Sequence, residues 1–200
     1  MNKKILFLVV SIVILLLVFI FIYKGIYKGF QQLDTMKGVF ASNLSLPELK
    51  GVKVNLLDVF ERIYTCDGDN INPQIVFPDN GVYAVIVEDP DAPAGTWFHW
   101  GIVIWDSKEI PEGLPKVLKG DKYYQVYNDF YYYNFTRGNI AGIGYDGPCP
   151  PPGHGYHRYF FEVFKLKRKP ESQIVYKDDL LEFIKENAES VYIFVAKYKR

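Results

Sequence analysis

The sequence is poor in the residues that most often carry metal, redox and nucleophilic chemistry. Its 200 residues include only two cysteines, two methionines and three histidines. The histidines show no HExxH-type spacing, which argues against a zinc hydrolase, and no serine lies in a nucleophile elbow. Cys66 and Cys149 allow one disulfide at most; they form either that bond or two buried thiols, and we favour the thiols.

The chain also lacks an excess of basic residues. Lysine plus arginine and aspartate plus glutamate both number 23, so the formal net charge is zero. Four of the lysines and none of the acids lie in residues 1–29, which leaves residues 30–200 with a net charge of −4. This balance excludes the basic face that nucleic-acid binding requires. No internal repeat is present.

Charged residues are absent from one long segment near the amino terminus. Residues 5–23 form an uncharged run of 19 residues, flanked by lysines. At 1.5 Å per residue a helix of this length crosses the hydrocarbon core of a bilayer. A cleaved signal peptide is the alternative, but its apolar region is usually shorter. We predict a single-pass transmembrane anchor over 1–29, a stalk over 30–44 and a folded domain over 45–200 on the outer face.

Aromatic residues are abundant, at 17% of the chain, and favour strands. Many short apolar runs separated by turn residues predict a mostly β fold, an antiparallel β-sandwich with a few peripheral helices. The pattern at 178–188 predicts a helix. The tyrosine-rich run 123–135 is interpreted as a packed hairpin; a membrane-interface patch is the alternative. Strands are expected near 52–60, 82–88, 101–105, 123–135, 158–167 and 191–198.

A proline- and glycine-rich segment, DGPCPPPGHGYHRY, occupies residues 146–159. Neither a helix nor a regular strand can continue through it, because each proline removes a donor and restricts the backbone. The segment is therefore a stiff loop that leads into a strand and places His157 and Tyr159 at the start of that strand. Such loops often carry binding or catalytic groups.

A second segment pairs acids with a histidine across a strand–loop–strand unit. The run VYAVIVEDPD, residues 82–91, ends in Asp89 and Asp91, and the next apolar run begins after His99. The two segments together offer two acids, two histidines and a tyrosine at strand ends.

These segments resemble the phosphatidylethanolamine-binding protein family, in particular its bacterial and archaeal branch related to Raf kinase inhibitor protein. The matching motifs are YTCDGDNINP at 64–73, DPDAP at 89–93 followed by HW at 99–100, and GPCPPPGHG at 147–155 followed by HRY at 157–159. The resemblance covers roughly residues 45–200. It implies a β-sandwich with helices at one end, and a small anion pocket. The residues implied for that pocket are Asp89, His99, Gly147, Pro150, His157 and Tyr159.

The chemistry of those residues agrees with an anion. Imidazole N–H, phenol O–H and backbone N–H groups donate to phosphate oxygens, and Asp89 would accept from an imidazole and orient it. Asp91 is expected to cap its loop, and Arg158 to be a structural ion-pair partner. His154 is expected to lie exposed in the loop, outside the site.

Three classes of function remain open. The first is a membrane-tethered binding domain for a phosphate-bearing small molecule or a lipid headgroup such as phosphatidylethanolamine, without cofactor or metal. The second is an inhibitor of a protease or kinase that uses the rim of the pocket, as in some members of the family. The third, which we favour least, is a hydrolase in which His99 and Asp89 form an acid–base pair, or in which His99, His157 and an aspartate bind a metal.

Overall fold

The computed structural model describes residues 39–200 of the chain. The predicted anchor at 1–29 and most of the predicted stalk at 30–44 lie outside the described residues. Within 39–200, no helix is both long enough and apolar enough to span a bilayer. The last part of the predicted stalk is a 3-10 turn, Phe40–Asn43, in which the Phe40 ring packs edge-on against Phe164.

The described strands pair in one antiparallel sheet. They are β1 Lys53–Val54, β2 Ile75–Asp89, β3 Trp97–Ile110, β4 Tyr123–Gln125, β5 His157–Leu166 and β6 Ala188–Tyr198. Their order is β4-β3-β2-β5-β6, and β1 pairs with the start of β2. The mostly β, antiparallel prediction is confirmed, but the sandwich is not, because these six strands belong to a single sheet rather than to two.

Pairing across the sheet, rather than local composition, sets the strand lengths. Strand β2 begins well before the predicted 82–88 and includes Pro78, which lies where the register with β3 shifts between Val76 and Gly81. A proline is tolerated at such an irregularity because no ladder bond is lost there. The predicted strand at 52–60 is reduced to the two residues of β1, since only these pair with β2.

Among residues 39–200, two α-helices accompany the sheet: α1, Asp129–Tyr132, and α2, Lys177–Asn187. The predicted helix at 178–188 is confirmed within one residue at each end. The predicted hairpin at 123–135 is wrong beyond β4, because Asn128 accepts a hydrogen bond from the Phe130 N–H (3.1 Å) and begins α1 instead. Helix α2 packs directly on β3, where a Cβ at Gly101 would lie 2.7 Å from the Leu180 side chain.

Side chains alternate between the two faces of β2. Tyr83, Val85 and Val87 belong to the main hydrophobic core, and Asp89 ends that face. The opposite face buries Glu88 diagonally across from Glu162 of β5.

These two glutamates hold the 3-10 turn. Glu88 accepts the Phe40 N–H at 2.7 Å, and Glu162 accepts the Ala41 N–H at 2.5 Å. Burial raises the pKa of both carboxyls, and the charge of Glu88 raises that of Glu162 further.

Candidate functional site

A cavity of about 570 Å³ lies at the edge of the sheet where β2 ends and β3 and β5 begin. This placement follows from the antiparallel order, since the end of β2 and the starts of both its neighbours meet at one edge. Its polar wall consists of Asp89, His99, Arg137, His157 and Arg200. Its apolar wall includes Trp97, Phe130, Phe135, Ile140 and the prolines at 150–152.

His157 is held by an acid on one side and a second histidine on the other. Its Nδ1 lies 2.7 Å from Asp89 Oδ2, and both side chains are almost fully buried. Its Nε2 lies 2.7 Å from Nδ1 of His154, which is exposed as expected but does contact the site. A carboxylate only accepts hydrogen bonds, so His157 donates from Nδ1 to Asp89. The acid thereby fixes the tautomer and ring position of His157.

Asp91 does not act mainly as a loop cap. Its N–H donates to Asp89 Oδ1 (2.9 Å), which engages the second oxygen of that acid. Its carboxylate forms a bidentate pair with Arg158, at 2.7 Å and 2.8 Å, and also accepts the Arg158 N–H. The expected ion-pair role of Arg158 is confirmed, and the pair joins the end of β2 to the start of β5.

His99 reaches the cavity from a β-bulge. Val87 opposes Trp100 and Glu88 opposes Phe98, so His99 is the extra residue of β3. Its Nδ1 donates to the Asp146 carbonyl (2.6 Å), and burial lowers its pKa. The predicted pair of His99 with Asp89 is wrong as a contact, because Asp89 binds His157 instead.

Tyr159 and Gly147 lie behind the cavity wall rather than on it. The Tyr159 ring packs edge-on against His99, with centroids 5.2 Å apart. Its hydroxyl is buried without a hydrogen-bond partner among residues 39–200, and burial raises its pKa. Gly147 donates its N–H to Asn70 (2.7 Å), and a Cβ there would lie 2.0 Å from the Tyr64 carbonyl oxygen. Any larger residue at 147 would therefore displace the loop.

Cys66 and Cys149 form a disulfide, so the preference for two thiols is wrong. The Cys66 N–H also donates to the Pro148 carbonyl (3.1 Å), and together the two contacts bring the 64–73 segment against the proline loop. Cys149 and Pro150 line the cavity. The bond therefore fixes a wall of the site covalently, across 83 residues of sequence.

Asp146, which sequence reasoning did not single out, organises the loops behind His99. Its fully buried carboxylate forms an ion pair with Lys116 (2.7 Å). It also accepts hydrogen bonds from four further donors: Asn70 Nδ2, Asn128 Nδ2, Ala141 N and Gly142 N. Ala141 and Gly142 are near in sequence, but Asn70, Lys116 and Asn128 lie 76, 30 and 18 positions away, so no local pattern indicates this role. The charge is well compensated, so the Asp146 carbonyl is held in place for His99.

The cationic and aromatic parts of the wall were also missed. Arg200 pairs with Asp67 (3.1 Å), whereas the Arg137 guanidinium has no ion pair or hydrogen bond with any other described residue. No spacing in the sequence marks either arginine. Within 39–200, no three His, Cys, Asp or Glu side chains are grouped to hold a metal ion.

An exposed aromatic surface, formed by Tyr131, Tyr132, Tyr133 and Phe135, adjoins the cavity. It is continuous with the cavity wall, because Trp97 stacks on Tyr133 (centroids 5.0 Å apart) and contacts Phe135 (5.9 Å). Single exposed aromatics are common, but a contiguous group beside a cavity marks a candidate interaction surface.

Comparisons with known proteins agree with this fold. The family model described as phosphatidylethanolamine-binding protein matches residues 52–198. A UPF0098 protein of Aquifex aeolicus is 43% identical over 113 residues, which is 52% of this chain and 59% of that protein. One of Methanothermobacter thermautotrophicus is 34% identical over 147 residues, covering 68% of this chain and 88% of the relative.

The chain spans little more than half the length of the Aquifex protein and of a UPF0098 protein from Pyrococcus horikoshii, 59% and 51%. The crystal structure of a putative phosphatidylethanolamine-binding protein homologue from Chlamydia trachomatis has a TM-score of 0.58 at 24% identity, covering 74% of this chain and 96% of that one. The E. coli protein YbcL gives 0.57 at 24% identity, with 74% and 97% covered. The likeness of these structures shows the fold, and the family match extends over most of the chain. This chain therefore belongs to the phosphatidylethanolamine-binding protein family.

Proposed function

We propose that this domain binds a small anion, a phosphate ester or a phospholipid headgroup, in the cavity at the end of β2. The observation that carries the proposal is the pair of oriented histidines on one wall. Asp89 positions His157, and the Asp146 carbonyl positions His99. Both rings lie in a buried site, where a charge-assisted hydrogen bond to an anion is strongest.

Counter-charge for the anion is available at the same cavity. Arg137 lines it and is engaged with no acid among the described residues. A planar guanidinium suits two phosphate oxygens at once. Arg200 adds a second cation, already shared with Asp67.

The apolar part of the wall accommodates an organic substituent. Trp97, Phe130 and Phe135 contact one another across one side of the cavity. A volume of about 570 Å³ falls within the usual range for small-molecule sites. A phosphate carrying an organic group therefore fits the lining better than free phosphate.

Membrane tethering is the second part of the proposal. It is supported by the uncharged run at 5–23, long enough to cross a bilayer. A domain so tethered, on the outer face, would hold its cavity close to headgroups.

The test measures binding by the 200-residue chain in dodecyl maltoside, a detergent without phosphate. Phosphoethanolamine, methyl phosphate and inorganic phosphate are titrated while tryptophan fluorescence is followed, since Trp97 lines the cavity. We expect saturable binding, weakened about tenfold in Arg137→Ala, which removes one charge-assisted contact.

Arg168→Ala is the matched control, because Arg168 is half exposed, pairs only weakly with Glu171 and lies outside this cavity. Its affinity should equal that of the unaltered chain. Absence of binding at millimolar concentrations of all three compounds would refute the proposal.

The exposed aromatic surface favours a second candidate function, inhibition of a protease or kinase through the rim. Tyr132 and Tyr133 are exposed and do not line the cavity. The double variant Tyr132→Ser, Tyr133→Ser should abolish inhibition of such an enzyme while leaving phosphate binding intact. Inhibition that survives this change, or that is lost only with phosphate binding, would argue against the rim.

A further inference from the structure

Both ring nitrogens of His157 are already occupied. Nδ1 donates to Asp89, and Nε2 contacts His154 Nδ1 at 2.7 Å. His157 therefore offers no free N–H to a ligand while His154 stays in place. His99 differs, because only its Nδ1 is engaged in a hydrogen bond within 39–200.

We propose that His154 is a removable cap on His157, which competes with the anion and is released by protons. The inference rests on the proposed anion site and deepens it. It assigns a role to a residue that lies outside the cavity lining and at the surface.

The number of hydrogens between the two imidazole rings explains why protonation releases the cap. With both rings neutral, His154 donates from Nδ1 to the lone pair of His157 Nε2, so one hydrogen lies between the rings. One added proton can sit on the far nitrogen of His154 without changing that contact. A second added proton places two N–H groups face to face on two cations, which cannot form a hydrogen bond.

A bound anion competes with His154 for the Nε2 position of His157. A phosphate oxygen that accepts from His157 requires a hydrogen on Nε2, and the His154 ring must first leave that position. Ligand and cap are thus mutually exclusive at this nitrogen.

The loop around His154 allows that movement. Gly153 and Gly155 flank it with φ angles of 78° and 90°, and a Cβ at either glycine would meet nothing within 4 Å. The N–H groups of Gly153 and His154 donate to the carbonyls of Arg200 and Pro151 (both 3.1 Å), so the exposed His154 ring leaves by rotation of its own side chain while the backbone stays in place. Pro151 and Pro152 on one side and β5 on the other need not shift.

Several titratable or charged groups from neighbouring elements surround the pair. They influence its charge but do not occupy the contact between the two rings. They are Asp89 and Asp91 at the end of β2, Arg158 and Tyr159 of β5, His99 of β3, and Arg137 and Arg200 of the cavity wall.

The test compares inorganic phosphate binding by the full chain, in dodecyl maltoside, with that of two variants between pH 5 and pH 8. His154→Ala removes the cap and should bind about fivefold more tightly at pH 8, the effect of one hydrogen bond no longer broken on binding. This advantage should shrink as the pH falls toward 5, because protonation of both rings removes the hydrogen bond between them. His154→Gln can still donate to His157 but cannot be protonated, so it should bind like the unaltered chain at pH 8 and more weakly at pH 5.

Tyr156→Ala is the control, because Tyr156 is exposed in the same loop and its ring contacts Lys199, not the histidines. Weaker binding in His154→Ala at every pH would make His154 a ligand contact and overturn the cap. Equal binding by all variants would overturn it as well.

A second readout separates this inference from the proposed function. The chain has three histidines, so long-range ¹H–¹⁵N spectra can follow each ring without ligand. The cap requires the Nε2 signal of His157 to change in His154→Ala and not in Tyr156→Ala. If no variant binds phosphate, the anion site fails, and these spectra alone decide whether His154 caps His157; an unchanged signal overturns the cap.

Discussion

Glu88 and Asp89 are consecutive buried acids in β2, yet the sheet places them in opposite surroundings. Asp89 faces the cavity, where His157 and the Asp91 N–H engage its two oxygens. Glu88 faces the other side, where its closest ionisable partner is another acid, Glu162. One acid is therefore hydrogen-bonded to a histidine, while the other shares its surroundings with a like charge.

The difference shows how burial is compensated on each side. A buried charge needs a counter-charge or must be neutralised by a proton. Lys177 is the cation near Glu88, but it already pairs with Asp129 at 2.7 Å. The pKa of both glutamates is therefore raised, and the pair serves structure by holding the Phe40–Asn43 turn. The cavity side instead pairs its buried acid, Asp89, with His157.

The largest expected effect comes from breaking the covalent link on the cavity side. The double variant Cys66→Ser, Cys149→Ser should lower the free energy of unfolding by about 4 kcal/mol, because the bond closes a loop of 83 residues. Thermal unfolding of the full chain should shift down by roughly 10 °C. The unaltered chain under reducing conditions is the control and should behave like the variant.

The same variant should also weaken phosphate binding, since Cys149 and Pro150 line the cavity. The pH dependence that arises from the glutamate pair, on the other face, should remain unchanged. A change in that pH dependence would show that the two faces of the sheet are not independent. A loss of stability below about 1 kcal/mol would show that the disulfide contributes little to the folded state.

The second prediction concerns the glutamate pair. Both folded-state pKa values are raised, so the stability that the pair contributes is full below the unfolded pKa near 4.5. It is lost as the pH rises through the raised values. Glu162→Gln should remove this loss, because its amide oxygen can accept the Ala41 N–H while its NH₂ group donates to Glu88.

Thermal unfolding measured from pH 4 to pH 9 checks the result. The variant should be about equal to the unaltered chain at pH 4 and more stable by about 1–2 kcal/mol at high pH. Glu171→Gln, an exposed change elsewhere, is the matched control and should show no such trend. If Glu162→Gln instead lost stability with rising pH, the pair would be ionised and compensated by other groups.

The sequence predicts the strand ends of the site better than the contacts made there. Apolar runs indicate where β2, β3 and β5 lie, so Asp89, His99 and His157 fall at one edge of the sheet. Their partners cannot be predicted, because the contacts join residues far apart in the chain. Asp89 and His157 are separated by 68 positions, and His99 is held by a backbone carbonyl that carries no sequence signal.

In the tyrosine-rich run at 123–135, local composition predicts the wrong secondary structure. Aromatic residues favour strands, yet the structure places Asp129–Tyr132 in a helix because Asn128 caps it. A single hydrogen bond from a backbone N–H to a side-chain oxygen can thus override a propensity summed over several residues. The sequence leaves the disulfide as one of two alternatives for a related reason, since only the fold brings Cys66 and Cys149 together.

The smallest expected effect comes from His99, and its sign is opposite to that of the glutamate pair. Burial lowers the folded-state pKa of His99, so the stability it contributes is full above the unfolded pKa near 6.5 and is lost as the pH falls toward the lowered value. His99→Gln can still donate to the Asp146 carbonyl and does not titrate. Relative to the unaltered chain, it should gain about 1 kcal/mol as the pH falls below 6.5.

Thermal unfolding is measured over one pH range for His99→Gln, for Glu162→Gln and for the double variant. This comparison separates the contributions of the two faces of the sheet. The two changes should add, because the side chains point to opposite sides of the sheet. Saturating phosphoethanolamine should reduce the His99 effect, since an anion stabilises the charged imidazole, and should leave the Glu162 effect unchanged. Strong non-additivity would instead mean that a proton added on one side of β2 is felt on the other, and that the cavity and the glutamate pair titrate as one unit.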